Sequence, residues 1–341
     1  VGIDYIVNNG DGTFTIYLTD ASTYTTDNFT GPQGIQGQQG EQGPAGLGYS
    51  PSQIALLRWY EANQAGINYT VGAYPIIPCF DGTNIWVVNQ GDDTVTKLRA
   101  SDGSLVGTYA VGGSASGICF DGADIWVSNQ LDGTITKLKA SDGSLVDTFD
   151  VGVGAGPKGL CFDGANIWVA NHWIDSVTKL RASDGSIIGT YDVGAWPENL
   201  CFDGANIWVT DYYDGTVTEL RASDGSFVGT YDAGWGPMGI CFDGTSIWVA
   251  NQGENAVTRL SASDGSLAGK YNNIGMGPQG ICFDGANIWV TLAGDNAAIK
   301  LKASDGSLVG TYAVGNGPLG ICFDGANIWV TNVLDNSVSK L

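Results

Sequence analysis

Acid–base chemistry near neutral pH needs imidazole, and this sequence of 341 residues holds a single histidine, His172. No Gly-x-Ser-x-Gly elbow accompanies it. The carboxylates Asp175, Glu198, Asp211, Asp214 and Glu254 fall in loop-like stretches, so a paired-carboxylate glycosidase is the catalytic arrangement left open. Seven cysteines are present, but without a Cys-x-x-Cys and with one histidine they lack the partners of a metal centre. Their odd number and their single repeat position also argue against disulfides, and they read as small buried packing residues. The calcium motif Asp-x-Asp-x-Asp-Gly is absent, and the many Asp-Gly pairs are turn chemistry. The expectation is a chain that is not an enzyme and carries no metal and no cofactor.

Flat aromatic side chains offer a different chemistry, that of binding. His172, Trp173, Trp196, Tyr212, Tyr213 and Trp235 are bunched in one third of the chain. Asn171, Asp175, Glu198, Asp211 and Asp214 stand beside them. Such a set stacks on a sugar ring and hydrogen-bonds its hydroxyls. The competing reading is that these aromatics plug a central opening or touch a neighbouring chain. The candidate ligand site is therefore His172, Trp173, Asp175, Trp196, Glu198, Asp211, Tyr212, Tyr213, Asp214 and Trp235, with no catalytic residue assigned.

These residues are positioned by a repeat. Cys-Phe-Asp-Gly returns at Cys79, Cys119, Cys161, Cys201, Cys241, Cys282 and Cys322, 40 to 42 residues apart. Each copy leads into Ile-Trp-Val, then a loop, then Val-Thr-Lys-Leu or a variant, then an Asp-Gly-Ser turn and a last apolar run. In the second unit the strands are expected at 117–120, 125–128, 134–140 and 145–151, with Asp-Gly turns between them. Four strands every ~40 residues, seven times, predict an all-β, seven-bladed β-propeller over residues 67–341. The last unit stops after its third strand, so Ile67–Val71 is expected to supply the missing one and remove the open edge. The recurring tryptophans, from Trp86 to Trp329, are expected to fill the wedges between blades. Loops after the first and third strands are nearly constant. Loops after the second and fourth vary, and the aromatic set lies in them, in blades three to five.

Ahead of the propeller the composition changes. Residues 1–30 alternate like strands around an Asn9-Gly10-Asp11-Gly12 turn and read as a small β element for trimerisation or attachment. Residues 31–48 place glycine at every third position through six triplets, the pattern of a collagen-like triple helix and hence of a homotrimer. Residues 49–66 read as a helical neck, with Ser50 as cap and Pro51 in the first turn. Net charge is −21, from 35 acidic and 14 basic residues, which turns away nucleic acid and anionic membranes. No apolar run approaches the roughly 18 residues of a membrane span.

The register Pro-x-Gly-Ile, Asp-Gly, Ile-Trp-Val, Asn, Val-Thr-Lys-Leu resembles the NHL and YVTN-type propeller families, which implies the fold but hosts many activities. The run Gly10-Asp11-Gly12-Thr13-Phe14-Thr15-Ile16, with Thr25-Thr26-Asp27 and Thr30-Gly31-Pro32-Gln33-Gly34, resembles the stalk of bacteriophage tail fibres. The 52–65 segment followed by these repeats is similar to cyanobacterial multi-repeat propeller proteins. These resemblances imply a trimeric virion fibre, docked to a baseplate or tail protein at one end and binding a host surface polysaccharide through the propeller. The alternative is a secreted bacterial surface or matrix protein whose propeller makes protein contacts.

Overall fold

The structure is a computed structural model that describes residues 3–8, 14–18, 22–25 and 67–341. Residues 67–341 form seven four-stranded antiparallel sheets, each with its strands in chain order except the seventh. In blade two the strands are Ala115–Phe120, Asp124–Asn129, Thr134–Lys139 and Leu145–Asp150. The first strand begins two residues earlier than the residue pattern implies. An irregularity between Val127 and Asn129 lets Ala115 still pair with Asn129. The first strands of successive blades pack on one another and surround the central axis. The second strand is buried on both faces, which explains why Ile125, Trp126 and Val127 are apolar without alternation. The fourth strand is outermost and largely exposed.

Each core cluster bridges two blades. Trp86, Val88 and Val95 of blade one meet Ile118, Ile125, Val127 and Leu138 of blade two. The repeat tryptophan is held from three sides. Its indole N–H donates to the aspartate of the Asp-Gly turn, at 2.7 Å for Trp126 and Asp121. An aromatic ring of the fourth strand lies against it, at 5.4 Å between centroids for Trp86 and Tyr109. A cation from the third strand sits over its face, as Lys97 does 4.9 Å from the Trp86 ring. The same Lys97 ammonium donates to the carbonyls of Ala140 and Ser141 in the next blade, so the lysine straps two blades together. The Asp-Gly-Ser glycine has a second duty beyond its turn. Gly143 has φ +76°, and a Cβ there would collide with the ring of Tyr109 from the preceding blade.

The ring closes through both ends of the repeat array. Ile67–Thr70 pairs antiparallel with Ser337–Lys340 as the fourth strand of blade seven. Ser339 Oγ donates to Asn68 Oδ1 at 2.6 Å, and Lys340 Nζ donates to the Ala100 carbonyl of blade one at 3.0 Å. The cysteines are free thiols at the fifth position of each innermost strand, where burial pushes Cys79 up to about 12 and the others up as well. They pack; they do not bridge.

A separate three-stranded antiparallel sheet is made by Ile3–Asn8, Phe14–Leu18 and Thr23–Thr25, with Ile6 opposite Ile16 and Tyr24 opposite Ile16 on its other side. The collagen-like run at 31–48 and the helical neck at 49–66 lie outside the described residues. Among the described residues no helix is long and apolar enough to cross a membrane.

Candidate functional site

The two faces of the propeller are built differently. On the constant face the third-to-fourth loop bonds back to the first-to-second loop, as Ala140 N–H does to the Ala123 carbonyl at 3.2 Å. On the opposite face the loop after the second strand bonds to the loop that enters the same blade. His172 N–H donates to the Gly156 carbonyl at 3.0 Å and Tyr212 N–H to the Trp196 carbonyl at 3.0 Å. Backbone groups carry these loops, so their side chains vary without cost to the ring.

One corner of the central channel is charged. The second residue of each innermost strand lines it: Ile76, Ser116, Lys158, Glu198, Met238, Gln279 and Leu319. The channel opens here into a cavity of about 570 Å³, floored by the aliphatic side chains of Leu160, Leu200, Ile240, Ile281 and Ile321. Lys158 Nζ donates to Glu198 Oε1 at 2.6 Å. His172 Nδ1 stands 3.2 Å from the same oxygen, close enough for an ion pair but outside good hydrogen-bond geometry. Burial alone drives the Glu198 carboxyl upward. His172 and Lys158 overcome that and hold it below the usual glutamate value. The trio can orient a polar group at the edge of a cavity that also presents Gln90, Ser116, Gln130, Asn199 and Gln279, and His172 beside a carboxylate is placed to exchange a proton.

An aromatic rim stands beside this corner. Trp196 packs on His172 at 5.5 Å, on Tyr213 at 5.2 Å, and nearly parallel to Tyr212 at 6.4 Å. Trp196 adopts φ +57°, and its amide donates to Asp175 Oδ1 at 2.9 Å, which supports a conformation that a tryptophan rarely takes. Asp214 secures the same loop by accepting the Ala195 N–H at 2.7 Å. Tyr212 reaches blade five through Gln252, at 3.3 Å. Trp173 lies on Gly156 and Trp235 on Gly253, and a Cβ at either glycine would collide with the indole. Trp173, Trp196, Tyr213 and Trp235 are 46%, 46%, 71% and 74% exposed.

Nine of the ten expected residues thus gather at this face, as surface or as the support of surface. Asp211 does not reach it. Its carboxylate is fully buried beneath the loop, where Thr216 and Thr218 donate to Oδ2 at 2.9 and 2.7 Å. It fills the position that Asn89, Asn129, Asn171, Asn251 and Asn332 hold in five other blades, and burial pushes it up to about 7. Lys158 joins this corner although the sequence-based site omits it; it holds the same strand position as Glu198, one blade earlier. Aligning the second residue of every innermost strand finds it, since only Lys158 and Glu198 are charged there.

No family model matches this chain, and no curated protein does. Solved structures do. A hydrazine synthase of Kuenenia stuttgartiensis aligns over 82% of this chain and 98% of its own, with TM-score 0.72 and 17% identity. A streptogramin B lyase aligns over 82% and 98%, with TM-score 0.67 and 19% identity. Virginiamycin B lyase from Staphylococcus aureus aligns over 80% and 97%, with TM-score 0.70 and 18% identity. At such identities the likeness shows the propeller fold. It also corrects two expectations. Propellers of this shape include named enzymes, so the scarcity of histidine does not exclude catalysis. The similar chains are enzymes and not virion fibres, which goes against the virion and tail-fibre reading drawn from the first 70 residues and the host-glycan reading drawn from the aromatic loops. With no family model in agreement, the likeness to NHL and YVTN-type repeats stays at the level of the shared fold, a β-propeller able to mediate contacts with proteins or ligands.

Proposed function

We propose that the variable face is a protein-contact surface, docking a partner on the aromatic loops of blades three to five, in a bacterial surface or matrix protein. The observation that carries this is the contrast between two sets of aromatics. The seven repeat tryptophans are at most 6% exposed, whereas Trp173, Trp196, Tyr213 and Trp235 stand at least 46% exposed on adjacent blades. Large exposed aromatics concentrated on one rigid patch are the usual anchors of protein interfaces. The test is a photoactivatable cross-linker at Tyr213, with a control at Ser101 on the constant face. Cross-linking from Tyr213 alone identifies the partner. Alanine at Trp196 or Trp235 should then weaken binding of that partner by about 10–100-fold, the scale of a lost anchor. Equal cross-linking from both faces sinks the reading.

Catalysis at the channel mouth is a second reading, favoured by the His172–Glu198–Lys158 trio at the edge of a cavity large enough for a small molecule. One similar structure, a virginiamycin B lyase, was solved with quinupristin, which makes that compound a direct test. Incubation with the full chain should change its chromatographic retention and fragment-ion pattern, and His172→Ala and Glu198→Gln should each abolish the change. An unaltered compound removes this lyase activity from consideration.

Residues 31–48 are proposed to join three chains, on the strength of the glycine triplets. Mass measurement of the intact chain in solution should give a trimer, and replacing Gly37 or Gly40 by a bulky residue should lower it to a monomer.

A further inference from the structure

We infer that the partner of the variable face presents a basic, arginine-bearing segment. This rests on the protein-contact reading and names the chemistry of the partner. The first observation is the sorting of charge. Among the described residues, two basic side chains reach this face, and each is already engaged: Lys158 by Glu198 at 2.6 Å and Lys270 by Glu254 at 2.8 Å. The remaining cations are the inter-blade straps or lie at the ends of the third strands on the constant face, as Arg99 and Arg181 do beside Asp102 and Asp184. Among the described residues, the exposed aspartates of the variable loops have no such counter-ion. Asp92, Asp93, Asp132, Asp175, Asp214, Asp295 and Asp335 are exposed, at least one to a blade in six of the seven blades. Asp92, Asp132, Asp214, Asp295 and Asp335 each accept a backbone N–H of the loop entering their own blade, and Asp93 and Asp175 each accept one of the loop entering the next blade, which fixes them in place with no cation beside them.

The second observation is independent of charge count. This protein already shows how it binds cations: six of its core tryptophans hold a lysine or arginine over the ring, at 4.7 to 5.2 Å. Among the described residues no cation covers Trp173, Trp196, Tyr213 or Trp235, although each side chain remains 46–74% exposed beside its aromatic or glycine neighbours. Exposed aromatic faces inside an acidic field suit guanidinium groups, which stack on the ring and bond to carboxylates with the same planar head. A neutral sugar would use the rings but gain nothing from the charge. An acidic segment would be repelled by it.

The experiment is titration of the full chain, followed by tryptophan fluorescence and calorimetry, with an arginine nonapeptide. A lysine nonapeptide, a glutamate nonapeptide and spermine are the comparison ligands. Saturable binding of the arginine peptide is expected, tighter than the lysine peptide and absent for glutamate. The double variant Trp196→Ala/Trp235→Ala should weaken it by about tenfold or more with the melting temperature unchanged. Asp175→Asn/Asp214→Asn should weaken it further while keeping the acceptors that hold the loop, and so should raising salt from about 50 to about 300 mM. The inference is overturned by a lack of saturation, by aromatic variants that bind like the parent, or by spermine matching the peptide in affinity and variant dependence. If the segment cross-linked at Tyr213 proves acidic or neutral, the protein-contact reading survives and the basic-partner inference falls. If Tyr213 cross-links nothing, the protein-contact reading falls and the inference about its partner falls with it, whether or not the peptide binds.

Discussion

Blade two and blade four share every repeat landmark and differ in what they do with charge. In blade two, Asn129 lies under the variable loop and donates from its amide to Thr134 and Thr136, while Lys137 straps the blade to Ala182 of the next. Blade four puts Asp211 in the first place and Glu219 in the second. The two threonines must then turn their hydroxyls toward Asp211. Glu219 cannot donate to a carbonyl of blade five, and instead accepts the Tyr231 hydroxyl at 2.8 Å. Blade four also carries Trp196, Tyr212 and Tyr213. Blade four thus combines an individual surface with two altered polar supports, while blade six replaces the repeated Asn and Thr by Leu292 and Ile299 without gaining aromatic loops.

The largest effect should come from removing a shared landmark. Trp126→Ala is expected to cost about 3–5 kcal/mol in chemical denaturation, because it empties a fully buried wedge between blades. A loss below about 1 kcal/mol would mean that the repeat tryptophans are not what holds the blades apart.

Next comes the buried carboxyl. Asp211 titrates near 7 in the fold against an ordinary value of 3.8, so the folded protein holds a proton that the unfolded chain releases earlier. Stability should therefore fall as pH rises from about 4 to 7 and level off above. Asp211→Asn should remove that slope and raise stability at pH 8 by about 2–4 kcal/mol, with little change at pH 4. Equal stabilisation at both pH values would show that the carboxyl is not the cause.

Glu219→Lys should restore the missing strap between blades four and five, stabilising by about 1 kcal/mol through a carbonyl bond and a cation over Trp208. Destabilisation would show that the Tyr231 bond outweighs the strap. The smallest effect belongs to the rim. Trp235→Ala should leave the unfolding midpoint within about 0.5 kcal/mol of the parent, since it touches solvent and the Gly253 backbone, while weakening partner binding. A stability loss comparable with that of Trp126→Ala would erase the distinction between surface and scaffold.

Most of the fold is legible in the chain because a repeat states it seven times. The Ile-Trp-Val and Val-Thr-Lys-Leu runs, the Asp-Gly turns and the orphan Asn-Tyr-Thr-Val segment are all local, and together they imply blade number and closure. The site is less legible. Lys158 and Glu198 are 40 residues apart and meet only because the rotation between blades brings equivalent strand positions side by side. The reading of Asp211 as a surface ligand failed because loop membership does not tell which way a side chain turns. The expectation of no enzymatic activity rested on the number of histidines, too narrow a ground when propellers of this shape include named enzymes.

By itself, then, the sequence determined the periodic part: seven blades, their strand order, the small thiols, the wedge tryptophans, and which face is allowed to vary. These follow from local propensity and from a pattern that every unit obeys. Tertiary structure alone decided the aperiodic part: that Lys97 and its equivalents strap neighbouring blades, that Gly143 seats a tyrosine from the blade before, that Asp211 is buried, and that His172, Glu198 and Lys158 converge on one corner of the channel. Those depend on distances between blades and on burial, and both arise only once the ring is closed.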